Sequence, residues 1–431
     1  MGSISVGSLG RTESLSRFSA HSKTGIEQMI LFNSYRTSIM LLVIFFLAFI
    51  LRVYGIDTLP YNYDEPRNIK IINSINLKEL NLPLHSFQHP PLSVYIHKIG
   101  TILFGRNNFG YRFMNVLIGS LTVLLIYFLA KSGFKDGTVG VLSALFLATN
   151  RFHVGWSRMI NQEIIYLALI TVSIIIFWKV YERGSGWFVL CLAISFSMLA
   201  KEVAILIIVP FILFLLIDKK GGDILRGKSF YIFLFSVGMV ALSVLTYSFL
   251  HAGKDELNFT KNLTRLLAIG LNSEPVEFFL MPLNQHDPLP ITWNYPYMFW
   301  VTGVILLVGI FYSFLILNNI FIRFMLILFL FYFFFFSVIG DVPPVLLKDI
   351  PFHGGEFWWA DVALIPAIVL SSNMLIALRG RYKFCKKIYI AILIYLFINS
   401  IFFTSITENG PILKYFGLTY SKVTNKVPFL F

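Results

Sequence analysis

Phe113-Met114-Asn115-Val116-Leu117-Ile118-Gly119-Ser120-Leu121-Thr122-Val123-Leu124-Leu125-Ile126-Tyr127-Phe128-Leu129-Ala130 runs for eighteen residues without a charge. As a helix rising about 1.5 Å per residue it covers about 27 Å, close to the ~30 Å of a bilayer's hydrocarbon core. A helix satisfies its own backbone polar groups, which lipid cannot do. Ten more apolar runs lie at 37–54, 138–150, 162–180, 187–200, 202–217, 229–250, 296–317, 320–340, 362–378 and 388–405. Together they predict an all-α polytopic membrane protein of about 11 transmembrane helices.

The composition of the 431 residues agrees: 57% are hydrophobic and 13% charged. A soluble protein carries about 25% charged residues, so a water-facing enzyme of this size is excluded. The 45 Phe and 20 Tyr exclude disorder. Net charge is +13, and its distribution predicts orientation. With the N-terminus in the cytoplasm, the inner segments hold 18 of the 35 basic residues beside six acids, a net of +12. The other 17 basic residues face 16 acids outside, a net of +1. Lys and Arg gather in cytoplasmic loops, so the basic excess reads as a topology signal rather than a nucleic-acid site. Cys191 and Cys385 are the two cysteines, and they suit neither a disulfide framework nor a metal site.

The expected layout is a cytoplasmic tail over 1–36, a transmembrane domain over 37–405, and a short outer C-terminal tail over 406–431. The Ser-rich start has no apolar core before residue 37, unlike a cleaved signal peptide. No internal repeat of the transporter type stands out.

The first outer loop, 55–112, is the longest outer segment and the richest in charge. It opens with Tyr63-Asp64-Glu65-Pro66-Arg67. Pro suits the first turn of a helix, which predicts a helix over about 66–80 with Asp64 and Glu65 at its entrance. Either they form a capping pair on a solvated loop, or one of them is a general base held by the other. Next, His89-Pro90-Pro91-Leu92 starts a second helix of about 13 residues, too short to span. It reads as an interfacial helix with Leu92, Ile96, Ile99 and Leu103 on its apolar face.

A second cluster, Ser157-Arg158-Met159-Ile160-Asn161-Gln162-Glu163, lies at the outer mouth of the fourth span. Arg112 opens the second span, and Lys201-Glu202 turn between the fifth and sixth. Ionisable groups this close to hydrocarbon are costly unless paired or lining a cavity. Arg158 or Lys201 alone could simply snorkel. All of them share the outer face with Asp64 and Glu65. Further out, 341–361 carries His353 among Trp358, Trp359 and acids. No spacing suggests a metal site.

Taken in order, Arg52-Val53-Tyr54-Gly55, Tyr63-Asp64-Glu65, His89-Pro90-Pro91-Leu92 and Ser157-Arg158 with an acid five residues beyond resemble the dolichyl-phosphate-mannose protein mannosyltransferase superfamily. That superfamily includes the prokaryotic branch and the aminoarabinose transferases, all C-type glycosyltransferases. The likeness covers roughly 45–220, with Leu364-Ile365-Pro366-Ala367 as a later echo. It implies a GT-C fold with interfacial helices in the first outer loop. It also implies inverting transfer of a mannose-like or aminoarabinose-like sugar from a polyprenyl or dolichyl phosphate to a hydroxyl on the outer face.

In that frame Asp64 resembles the catalytic base, with Glu65 its partner and Glu163 where relatives carry Asp. Arg112, Arg158 and Lys201 resemble the groups around the donor phosphate. His89 and His353 are further substrate-pocket candidates. The expected partners are a polyprenyl-phosphate sugar, membrane lipids, and a glycolipid, glycan or protein acceptor. No nucleic acid, cofactor or metal is expected. The expected location is a prokaryotic plasma (inner) membrane, or the endoplasmic reticulum in a eukaryote. A lipid-linked sugar flippase, or an oligosaccharyltransferase or polymerase of the same superfamily, is the alternative.

Overall fold

The computed structural model describes residues 35–59, 61, 65–76, 90–251, 296–338, 361–381 and 383–405, and none of these is in a strand. In chain order the helices are α1 (Tyr35–Val53), α2 (Glu65–Ser74), α3 (Leu92–Phe104), α4 (Asn108–Phe134), α5 (Gly137–Thr149), α6 (Arg151–Trp156), α7 (Glu163–Arg183) and α8 (Trp187–Ala200). A 3₁₀ turn (Glu202–Ile207) leads into α9 (Ile208–Ile217), α10 (Lys219–Arg226) and α11 (Lys228–His251). The described chain resumes with α12 (Pro296–Phe314), α13 (Ile320–Val338), α14 (Asp361–Arg381) and α15 (Lys383–Ser405).

Among the described residues each of the eleven apolar runs overlaps helical structure. Four helices among the described residues are long and apolar enough to cross a membrane: Tyr35–Val53, Asn108–Phe134, Glu163–Arg183 and Val362–Arg381. The pair Lys219–Arg226 and Lys228–Val244, bent by 71°, makes a fifth if taken as one span. The run at 202–217 is not one α-helix. Pro210 has no N–H to give the preceding turn and clashes with the carbonyl four residues back. The α-helix therefore restarts at Ile208 with Pro210 in its first turn.

Helix ends follow local chemistry. Asn107 caps α4 by accepting from the Gly110 N–H at 2.8 Å, and Asp136 caps α5 by accepting from the Thr138 N–H. Gly184, with φ of 73°, closes α7 beyond Arg183. α2 stops at Ser74, short of the expected 80. There the Ser74 hydroxyl donates to the Ile71 carbonyl at 2.7 Å, a local bond that competes with continued helix.

α7 is the buried centre, packed by α4, α8 and α14. Toward its C-terminal end Phe177 stacks on Phe211 at 3.9 Å, and Trp178, Phe214, Phe321 and Phe324 close an aromatic cluster around them. The outside is as oily as the inside: Phe188, Phe235, Phe311 and Phe384 are each at least 69% exposed. Such a surface suits lipid tails, not water.

α3 shows the same inversion at one helix. Ser93, His97, Lys98 and Thr101 are buried against the protein, while Ile99, Ile102, Leu103 and Phe104 face outward. Of the four residues expected on its apolar face, Ile99 and Leu103 point away from the protein, and Leu92 and Ile96 pack on the core.

One contact fastens α1 to the bundle. Arg52, with no exposed surface, sits in the last turn of α1. Its Nη1 donates to the Ala48 and Ala148 carbonyls at 2.8 and 3.1 Å. Its Nη2 donates to Leu147 O at 3.2 Å and to His153 Nδ1 at 2.7 Å. Its Nε donates to Ser157 Oγ at 3.2 Å. All five donors of this always-charged group are used, two of its acceptors lying in the C-terminal turn of α5, where the helix dipole favours a cation.

Gly119 makes the arrangement possible. A Cβ there would lie 2.2 Å from Ser157 Oγ and 3.3 Å from Arg52 Nε. Gly119→Ala is therefore expected to destabilise the folded chain by roughly 1–3 kcal/mol through overpacking, read as a lower unfolding midpoint in detergent. Adding Ser157→Ala should not restore the loss, because Ser157 Cβ would still lie 2.8 Å from the new methyl and the buried Arg52 Nε would lose its acceptor.

Candidate active site

The chemistry-bearing residues gather where the turn after α1, the N-terminal ends of α2 and α4, and the segment 157–163 meet. Glu65 opens α2 and is 2% exposed. Its Oε1 accepts from Arg112 Nε at 2.9 Å and from the Ile160 N–H at 2.8 Å. Its Oε2 accepts from Arg112 Nη2 at 2.8 Å. Arg112 Nη1 donates to the carbonyls of Ile56 and Leu59 at 2.7 and 2.9 Å, and its guanidinium lies 5.1 Å from the Tyr61 ring centre. The fork of Arg112 is thus filled by the protein, and the pair ties α2, α4, the α1–α2 turn and segment 157–163 together.

That segment has few regular backbone bonds, so side chains satisfy its carbonyls. Asn68 of α2 donates to Ile160 O at 2.8 Å. Asn115 of α4 donates to Met159 O at 2.7 Å and Asn161 O at 2.8 Å. Asn161 Nδ2 returns to Trp156 O at 2.9 Å. His97 of α3 stands between Tyr111 O and Asn161 O, with ring nitrogens at 2.8 and 3.1 Å. Burial holds the His97 imidazole below its usual pKa, against the pull of Glu65 and Glu163. The neutral ring has one N–H, so it donates to one of the two carbonyls at a time.

A second ion pair follows at the start of α7. Lys201 Nζ donates to Glu163 Oε1 at 3.2 Å, both side chains at most 9% exposed. The ammonium also lies 5.9 Å from the Tyr166 ring centre. Arg158 is placed differently. Its Nη2 donates to Tyr54 O at 2.7 Å, while its buried Nε has no partner among the described residues. Burial first, and Arg112 second, push its guanidinium down to about 10, still cationic at neutral pH.

Buried charge at this end does not balance. Arg52, Lys98, Arg112, Arg158 and Lys201 face Glu65 and Glu163, five cations against two carboxylates among the described residues. A surplus of positive charge away from water calls for an anion.

Of the residues expected from sequence, Glu65 and Arg112 are brought together, as are Glu163 and Lys201, with Arg158 beside them. Asp64, His89 and His353 lie outside the described residues. Among the described residues no group of three His, Cys, Asp or Glu side chains could hold a metal ion. Sequence reasoning passed over Arg52 as a building block, and over His97, Asn115 and His153. A polar residue inside an apolar run was the available signal for Asn115, and an arginine in the last turn of a span was the signal for Arg52.

The fold is similar to that of membrane glycosyltransferases. The archaeal oligosaccharyltransferase of Archaeoglobus fulgidus, solved with an inhibitory peptide and a dolichol-phosphate, superposes with a TM-score of 0.56 at 14% identity, over 86% of this chain and 56% of that one. ArnT of Cupriavidus metallidurans, solved bound to undecaprenyl phosphate, gives 0.50 at 14% identity, over 81% and 60%. The chain is thus a multi-pass helical membrane protein of the GT-C fold. A family model described as dolichyl-phosphate-mannose-protein mannosyltransferase matches residues 88–247. The undecaprenyl phosphate-alpha-4-amino-4-deoxy-L-arabinose arabinosyl transferase of Pseudomonas aeruginosa is 28% identical over 143 residues, 31% of this chain and 26% of that protein. The match spans about a quarter of this curated relative and a little over half of the solved neighbours.

Two outcomes test the site's electrostatics. Glu65→Ala leaves the Arg112 guanidinium buried without its carboxylate, and breaking a buried pair this way costs about 3–5 kcal/mol. The unfolding midpoint should fall further than for Glu65→Ala with Arg112→Met, which removes both charges. The second outcome concerns pH. Burial holds His97 and His153 below the ordinary imidazole value of 6.5, so the unfolded chain takes up these protons first. Their contribution to stability is full above about pH 6.5 and declines as pH falls toward the folded values, by up to about 1.4 kcal/mol per pH unit for each site. Melting curves between about pH 8 and pH 5 should show this decline, and His153→Gln should flatten it.

Proposed function

We propose that this protein transfers a sugar from a polyprenyl or dolichyl phosphate to a hydroxyl acceptor at the outer face of the membrane, with inversion at the anomeric carbon. The observation that carries the reading is the buried surplus of cations among the described residues, in which Arg158 is the site arginine whose buried donor has no partner among them. A phosphate matches that chemistry, because a guanidinium can grip two of its oxygens. A lipid-borne phosphate matches the location, at the end of a bundle whose flanks are apolar.

Asp64 acts as general base in this mechanism. It takes the proton of the acceptor hydroxyl as that oxygen bonds to the anomeric carbon. The bond from that carbon to the phosphate oxygen breaks, and the lipid phosphate leaves with its charge offset by Arg158. Glu65 cannot take the base's part while its oxygens accept from Arg112 and Ile160. It holds the entrance of α2 instead, next in sequence to Asp64. Glu163 and Lys201 shape the adjoining wall as a pair.

The topology that goes with this reading has eleven spans, the N-terminus in the cytoplasm, and α2, α3 and segment 157–163 on the outer side. The Lys and Arg distribution supports that orientation. The bacterial source of the aminoarabinosyl transferase relative supports a prokaryotic inner membrane. A mannose-like or aminoarabinose-like sugar follows the family match. The acceptor would be a glycolipid, a glycan or a protein.

Proteoliposomes given a panel of polyprenyl-phosphate sugars, with mass spectrometry of the products, test the proposal. A new glycosidic bond is expected. Movement of labelled lipid across the bilayer without one would instead make the protein a flippase. General-base assistance is typically worth about 10²–10⁴-fold, so Asp64→Asn should slow transfer by at least about 100-fold with donor binding retained. Arg158→Gln should weaken donor binding, and Arg158→Lys should restore it in part.

A further inference from the structure

The opposite end of α7 carries a second charged network that the transfer reaction does not use. α7 has 21 residues, so its two ends lie about 30 Å apart. At its C-terminal end Tyr181 donates to Asp218 Oδ2 at 2.7 Å. Asp218 also caps α10 by accepting from the Lys220 N–H at 3.1 Å, and its Oδ1 lies 3.7 Å from Arg323 Nη2. Lys220 Nζ donates to the carbonyls of Tyr181 and Glu182 at 2.6 and 3.0 Å. Glu182 pairs with Lys135 at 2.7 Å. The ends of α4, α7, α9 and α13 thus converge on one network.

Its acids are spent inside it, whereas its cations are only partly so: Lys135 pairs with Glu182 and Lys220 is held by two carbonyls, but Arg323 keeps capacity. Asp218 serves a cap, a hydroxyl and a guanidinium, and Glu182 serves Lys135. The Arg323 side chain is 35% exposed, and its buried Nε has no partner among the described residues. Arg183 and Lys219 are exposed close by in the chain, and Lys220 is exposed too while its ammonium rests on the Tyr181 and Glu182 carbonyls. Immediately before these lysines, α9 exposes Leu213, Leu216 and Ile217 at 40%, 64% and 61%. An apolar wall therefore runs straight into a cationic ledge, and α10 turns away from α11 by 71° at that level.

We infer that this ledge binds the headgroup of an anionic glycerophospholipid from the leaflet at the α7 C-terminal end, with its acyl chains lying along Leu213, Leu216 and Ile217. The apolar wall distinguishes a lipid from a free phosphate ion, which has nothing to lay on it. The outward-facing position on the bundle's flank suits a bilayer lipid.

Lipid titrations of the purified full-length chain, followed by native mass spectrometry, test this. Phosphatidylglycerol should bind more tightly than phosphatidylcholine. Lys219→Gln with Lys220→Gln should weaken phosphatidylglycerol by ~30-fold, the equivalent of about 1 kcal/mol per lysine at a membrane surface. Phosphatidylcholine binding should not change, and Lys220→Arg should bind like the parent chain. If the double variant fails to fold, Lys219→Glu carries the test, because that side chain is exposed and its reversal should still cost phosphatidylglycerol binding. Equal affinity for the two phospholipids, or unchanged affinity in the charge variants, would overturn the inference. So would undecaprenyl phosphate displacing phosphatidylglycerol from the parent chain at lower concentration, which would assign the ledge to a carrier lipid.

Discussion

A carboxylate and a guanidinium that both lack water organise one end of this molecule. Arg112 lies at the start of α4 and Glu65 at the start of α2, 47 positions apart in sequence. Alone, either charge would be prohibitive at the edge of a hydrocarbon core. Together they make two parallel hydrogen bonds, and the spare capacity of each goes to backbone: Ile160 N–H for Glu65, Ile56 and Leu59 carbonyls for Arg112. These backbone groups belong to the two irregular segments that wall the site. Loops that would otherwise expose unpaired polar groups to a dry interior are therefore held by charges that would otherwise be unpaired. Each problem solves the other, and neither partner can be removed singly.

The same constraint explains why so much of the fold was legible beforehand. A long apolar run near a bilayer has few options, and α4 and α7 follow their runs closely. The bends were less legible because they depend on single positions. Pro210 broke one expected span into a 3₁₀ turn and a shorter helix, and Ser74 ended α2 early through a side-chain bond to its own turn. α3 was foreseen as amphipathic. A soluble-protein habit would bury its oily face, yet it buries Ser93, His97 and Lys98 and presents oil outward, because here the surroundings are the apolar phase.

The candidate site was readable as a list of residues and not as a set of partnerships. Acids and bases near hydrocarbon announce themselves in sequence, so Glu65, Arg112, Arg158, Glu163 and Lys201 could be picked out. Which cation meets which acid depends on the approach of helices far apart in the chain. Sequence marks Arg52 only as an arginine in the last turn of a span and does not show its partners, which are mostly carbonyls; every residue has one, so no pattern marks those that serve as acceptors. The partners of Asn115 and His97 were hidden for the same reason, since both act on the backbone of 157–163.

Pairing then sorts the cations by what they have left to give. Arg112 has its fork filled by Glu65 and two carbonyls, Arg52 has all five donors committed, and Lys201 faces Glu163 at 3.2 Å. Arg158 retains a buried Nε without a described partner. A pre-organised donor that is already dry contributes more to anion binding than an exposed one, because its desolvation cost was met when the chain folded. The neighbouring pairs contribute by staying paired. If Arg112 left Glu65 to meet a ligand, it would strand a buried carboxylate and release the Ile160 segment that carries Arg158 two residues away. Holding Arg112 in place therefore also holds the segment that carries Arg158, and the division between cations with filled and with unfilled hydrogen-bond capacity among the described residues follows from hydrogen-bond supply rather than from proximity alone.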